Sequence, residues 1–137
     1  MKILESFLTK WTEQGVELFS GASSAEIISV FGQLGSAVTP DILTLYSRVG
    51  GMSDMDDNMW RLWSLSEVLE RNNSKSNYGI MFADYLMDSC CYRLKPNGEF
   101  SCVYVDYFSD EVMPMKIAHS LEQFFISYSM NSDFIIK

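Results

Sequence analysis

No part of this chain constrains its fold more than the run from Cys90 to Tyr107. There Cys90-Cys91-Tyr92-Arg93-Leu94-Lys95 and Phe100-Ser101-Cys102-Val103-Tyr104-Val105 flank Pro96-Asn97-Gly98. β-branched and aromatic residues on both sides of an Asn-Gly pair call for an antiparallel hairpin, because Asn-Gly tolerates the positive φ angles of a tight type I′ turn. A two-residue turn at Asn97-Gly98 sets Arg93 opposite Cys102, Tyr92 opposite Val103 and Cys91 opposite Tyr104. Cys91, Arg93, Cys102 and Tyr104 then share one face of the sheet, and Cys90 takes the other.

Upstream, Met59 to Trp63 is expected to be a strand, and Ser64-Leu65-Ser66-Glu67 to cap a short helix reaching Arg71. The polar run Asn72 to Asn77 is a loop. Gly79–Tyr85 and Asp88–Leu94 are β-prone, either as one bent strand or as a hairpin pair. On a regular strand Trp60 and Trp63 face opposite ways, so one of them is expected to be a partly exposed contact.

Helical signals lie mostly before this block. Ile3, Phe7, Leu8 and Trp11 recur at helical spacing, and Val16 to Phe19 reads as a short extended piece. Ser23 with Glu26 forms a capping box ahead of a helix reaching about Leu34. Thr39-Pro40-Asp41 opens a third helix, with threonine as N-cap and proline in the first turn, and Gly50-Gly51 is placed to close it. A polar loop with Asp110 and Glu111 follows the hairpin, and Ser120 with Gln123 caps a last helix through Phe124, Phe125 and Tyr128. Helices followed by strands and a final helix imply an α+β fold: a mostly antiparallel, curved sheet with helices on one face and edge. With 137 residues, the chain is expected to be one domain spanning residues 1–137.

The 18 acids and 10 bases give a net charge of −8, which repels a phosphate backbone and argues against direct nucleic-acid binding. A basic protein partner suits such a field better. Cys90, Cys91 and Cys102 are odd in number, two are adjacent, and no CxxC spacing accompanies the lone His119. Reduced, buried thiols are therefore expected rather than a disulfide framework or zinc site, which favours a reducing cytoplasm. The N-terminus lacks a secretory pattern and no run reaches membrane-spanning length, so a cytoplasmic protein without membrane association is expected.

Candidate chemistry is sparse. Asp54, Asp56 and Asn58 occupy the first, third and fifth positions of a calcium-loop pattern, but Met59 replaces its glycine and Leu65 its terminal glutamate, so no metal is expected. Asp84, Asp88 and Asp106 could serve as paired carboxylates in a hydrolase, although no nucleophile or phosphate-binding motif accompanies them. His119 has no recognisable catalytic partner, and no cofactor is expected. The remaining reading is a contact surface in which Asp54, Asp56, Asp57, Asp84, Asp88 and Asp106 steer a partner and Trp63 and Tyr104 supply buried area.

Thr39-Pro40-Asp41, Leu45-Tyr46, Gly50-Gly51, MWRLWSLSEV, GIMFADYLMDSCCYRL and IAHSLEQFF together resemble the SUKH superfamily, the Smi/Knr-type proteins, over about Pro40 to Phe125. Its members commonly end the third helix with Asn-Gly, where this chain has Val49 before the two glycines. The resemblance implies a SUKH-like α+β fold without catalytic residues. It also implies a non-enzymatic role: an immunity protein that binds and neutralises a cognate toxin domain, such as a nuclease, or alternatively a regulatory scaffold.

Overall fold

The computed structural model describes residues 1–136. In chain order the elements are α1 (Lys2–Glu13), α2 (Ser24–Gln33), α3 (Pro40–Arg48), β1 (Trp60–Leu62), α4 (Leu65–Arg71), β2 (Ile80–Tyr85), β3 (Cys90–Asn97), β4 (Phe100–Asp106), β5 (Met115–Ala118), α5 (Leu121–Met130) and a 3₁₀ turn (Ser132–Ile136). The strands form one open antiparallel sheet in the order β1-β2-β3-β4-β5, as the α+β expectation required. The two β-prone runs are therefore a hairpin pair, with Tyr85 opposite Cys90. β5 was not foreseen, because its four residues, Met-Lys-Ile-Ala, carry too little alternation to stand out from the preceding loop.

The Asn-Gly hairpin forms, but two residues out of the expected register. Asn97 pairs with Phe100 and Arg93 with Tyr104, so Gly98 and Glu99 make the turn. Gly98 has φ +65° and Glu99 has no positive φ, as in a type II′ turn, which needs glycine only at its first central position. A slip of two preserves side-chain parity, so the predicted faces survive: Cys91, Arg93, Cys102 and Tyr104 still lie together.

Trp60, Leu62, Ala83, Tyr92, Leu94, Val103 and Val105 point to the inner face and are buried. Trp60 is the hub of this layer. It stacks on Trp11 of α1 with ring centroids 5.7 Å apart and meets Phe124, Phe125 and Tyr128 of α5. Truncating a tryptophan in such a setting costs about 3–5 kcal/mol. Its Nε1 is the buried side-chain nitrogen with no hydrogen-bond partner among the described residues, on a residue ringed by aromatic side chains.

Two buried carboxylates tie the helices to the sheet. Asp56 Oδ2 accepts from Trp11 Nε1 (3.0 Å) and Tyr128 Oη (2.6 Å), while Oδ1 accepts from the amides of Asn58 (2.9 Å) and Trp60 (3.0 Å). Asp41 Oδ2 accepts from the amides of Ser101 (3.0 Å) and Leu121 (3.3 Å), and its Oδ1 accepts from Thr39 Oγ1. Thr39 thus stands at the N-cap position without capping α3, because its hydroxyl is spent on Asp41 and Ser101. The serine caps do form: Ser23, Ser64 and Ser120 accept from the amides of Glu26, Glu67 and Gln123.

Gly50 and Gly51 do not close α3 in a left-handed cap, since Val49 ends that helix in extended conformation. They instead pair with Phe19 through the Gly50 amide and the Gly51 carbonyl. A Cβ on Gly50 would lie 2.2 Å from the Ser20 carbonyl oxygen, so close backbone approach is what demands glycine.

The part of β2 not covered by β1 is sealed by a side chain. Asn72 Oδ1 accepts from the Met81 amide (2.8 Å) and Nδ2 donates to the Met81 carbonyl (2.9 Å), as a neighbouring strand would. Asn72→Ala should lower stability by about 2 kcal/mol and raise the tendency to aggregate, measured by urea titration and light scattering. Asp56→Ala should cost about 3 kcal/mol or more in the same titration, because it strands four donors at once.

Candidate functional site

The outer face of the sheet bears rows of side chains that the register makes explicit. Arg61, Asp84, Cys91 and Asp106 align across β1 to β4, and beside them run Met81, Arg93, Tyr104 and Lys116. Opposite charges placed across adjacent strands attract one another, and here α4 adds further groups along the sheet edge.

Arg61 grips Glu67 in a bidentate pair at 2.8 and 2.7 Å and reaches Asp84 at 3.4 Å. Arg71 bonds Glu67 (3.2 Å) and Asp88 (2.7 Å), lies 3.8 Å from Asp84 and sits over the Trp63 ring, 4.2 Å from its centroid. Trp63 Nε1 donates to Asp84 Oδ2 at 3.1 Å. On the next strands Arg93 Nε donates to Asp106 (2.8 Å) and its guanidinium also donates to the Gly79 carbonyl (2.8 Å). Tyr78 covers this row edge-on to Tyr104, centroids 5.5 Å apart, with Met113 within 3.9 Å of its hydroxyl.

These partners set the protonation behaviour. Burial pushes the Asp84 carboxyl above the ordinary range, and neighbouring Asp88 pushes it the same way. Burial also works to raise Asp88, but its bonds to Arg71 and Asp84 outweigh that and leave it lowered. The Arg61 guanidinium holds Glu67 low. Splitting two neighbouring carboxyls in this way is what an acid–base pair needs. Asp84, however, is only 3% exposed and its outer oxygen is surrounded by Arg61, Arg71 and Trp63. Cavities of about 500, 270 and 240 Å³ occur on the molecule, and none is lined by Asp84, Asp88 or Asp106. Burial pushes the Cys91 thiol up to about 12, which leaves it protonated and unreactive at neutral pH.

Of the eight contact residues expected from sequence, the structure brings Trp63, Asp84 and Asp88 together around Arg71 and sets Tyr104 and Asp106 in the adjoining rows. Asp54, Asp56 and Asp57 lie apart, in the loop entering β1. Asp54, Asp57 and Asp88 are exposed and Tyr104 is half-buried, whereas Asp56, Trp63, Asp84 and Asp106 are buried with internal partners. The expectation of one partly exposed tryptophan is corrected: β1 ends at Leu62, and Arg71 closes over the outward Trp63.

Glu67, Arg71 and Tyr78 were not singled out from sequence as members of this site. The spacing of four residues on a helix was the available signal for the Glu67–Arg71 ion pair. Among the described residues no group of three or more histidines, cysteines or acids is disposed to hold a metal ion. No helix among them is long and apolar enough to cross a membrane. No model of a protein family matches the chain, and neither does any curated protein sequence.

The pKa directions give opposite pH signatures. Asp84 is raised on folding, so its contribution is present at low pH and is lost as pH rises through its folded pKa; Glu67 is lowered, so its contribution is lost as pH falls. Asp84→Asn should therefore steepen the rise of stability with pH, and Glu67→Gln should flatten it. Urea midpoints between about pH 3 and pH 7 measure both slopes.

Proposed function

We propose that this chain is a non-enzymatic protein-binding domain, an immunity protein that blocks a basic toxin domain by occupying its functional surface. The observation that carries this reading is the charged outer face of the sheet. There arginines and acids are held in mutual pairs beside the half-buried Tyr78 and Tyr104, and the candidate carboxylates line none of the three cavities described above. Arginine and tyrosine are the residues that most often anchor protein contacts, and pre-paired side chains lose little freedom on binding. The net charge of −8 supports a basic partner by steering its approach. The likeness of the segment from about Pro40 to Phe125 to the SUKH pattern supports a binding role with a cytoplasmic location, as an immunity protein or alternatively as a regulatory scaffold.

An immunity role makes a genetic expectation: the gene lies beside one for a large secreted protein with a variable C-terminal domain. Expressed alone in the cytoplasm, that domain should arrest growth, and co-expression of this chain should restore it. Tyr104→Ala combined with Tyr78→Ala should weaken the purified pair about tenfold or more in a calorimetric titration. Growth arrest that persists in the presence of the wild-type chain would remove the immunity reading.

A further inference from the structure

One end of the sheet is built unlike the rest. Trp60, Tyr85, Cys90, Asp106 and Met115 mark it, since they lie at corresponding ends of the five strands. Every non-glycine residue with positive φ among the described residues lies there: Met59 (+70°), Leu86 (+49°), Met87 (+53°), Asp88 (+73°) and Phe108 (+57°). Four of these five carry large apolar side chains, and all four are exposed, by 42% at Met59, 41% at Leu86, 79% at Met87 and 54% at Phe108. The left-handed region disfavours residues with a Cβ, and glycine or asparagine is the ordinary occupant. Folding alone gives no reason for methionine, leucine and phenylalanine at such positions with their side chains half or mostly exposed.

The backbone here is nonetheless held firmly. The Leu86 amide donates to the Met59 carbonyl (2.8 Å), the Ser89 amide donates to the Tyr85 carbonyl (3.0 Å), and the Phe108 amide donates to Asp106 Oδ1 (2.9 Å). Arg71 anchors the turn through Asp88. Exposed acids border the apolar groups: Asp54 and Asp57 before Met59, Asp88 after Met87, and Asp110 and Glu111 after Phe108. A second copy of the chain would bring the same acids against them at a net charge of −8 each, which disfavours self-association through this end.

We infer that this end of the sheet is a docking surface for a basic peptide segment whose apolar side chains pack against Met59, Leu86, Met87 and Phe108 while its lysines or arginines meet the bordering acids. The inference rests on the protein-binding reading above and adds a second surface beside the sheet face. Methionine and leucine adapt their shape to a bound chain, and the fixed backbone presents them without a backbone ordering cost at encounter.

A random linear-peptide library displayed on phage and selected on the immobilised wild-type protein tests this. The expected peptides are rich in lysine or arginine with apolar anchors. They shift the amide resonances of Met59, Leu86 to Ser89 and Phe108, and bind more weakly as salt increases. Met87→Glu and Phe108→Ser should each weaken such a peptide about tenfold or more. Met87→Gly should weaken it as well while raising the thermal midpoint, because glycine relieves the left-handed strain; a side chain present for stability alone could not produce that pair of results.

Peptides that shift resonances around Tyr78 and Tyr104 instead would overturn this assignment and leave the protein-binding reading standing. Neutral or acidic peptides, or a selection that enriches none, would also overturn it, and growth rescue by the co-expressed chain judges the broader reading independently.

Discussion

The Asp56 carboxylate is the constraint on which the rest of the structure depends. One oxygen takes hydrogens from Trp11 and Tyr128, side chains of the first and last α-helices, and the other takes the amides of Asn58 and Trp60 where the sheet begins. A carboxylate with four donors is stabilised in a site 5% exposed, where an unpaired charge would cost several kcal/mol. The arrangement is mutually enforcing. Trp11 must present its Nε1 edge to Asp56 and its face to Trp60, and that orientation sets how α1 and α5 lie against the inner sheet.

Asp41 repeats the device at the opposite end of the sheet, joining α3 to the starts of β4 and α5. Two hydrogen-bonded carboxylates thus bracket one aromatic layer and supply direction that hydrophobic burial alone lacks. With the inner face so determined, strand alternation sends Arg61, Asp84, Arg93, Tyr104 and Asp106 outward, where α4 and Tyr78 organise them.

Much of this could be read from the residues, and what could not be read has physical causes. The hairpin, the serine caps, the α+β order and the partition of Cys91, Arg93, Cys102 and Tyr104 to one face follow from local chemistry with short reach. The register slipped by two because Asn97-Gly98 and Gly98-Glu99 both offer a glycine to a tight turn, and both turn types suit the twist of the flanking strands, so local chemistry does not choose between them. The roles of Asp56 and Trp63 were not legible because they depend on partners 45 and 72 positions away for Asp56, and 21 for Trp63. Acidic residues in a polar-looking loop read as solvated when their donors arrive from distant helices. The left-handed residues at the sheet end gave no signal either, since none is a glycine or asparagine.

That last failure carries information. Where local preference and observed conformation disagree, either tertiary packing forces the conformation or the side chain is retained for another reason. At Met59, the hydrogen bond from Leu86 fixes the backbone but not the identity of the side chain, which half faces solvent. At Met87 the side chain is nearly fully exposed, so packing contributes almost nothing to its choice. Each left-handed residue costs about 1–2 kcal/mol, a burden the Asp56 and Asp41 networks and the aromatic layer can offset. Offsetting a cost explains how the strained end survives in a marginally stable domain. It does not explain why apolar side chains occupy that end, and a surface shaped for another molecule does.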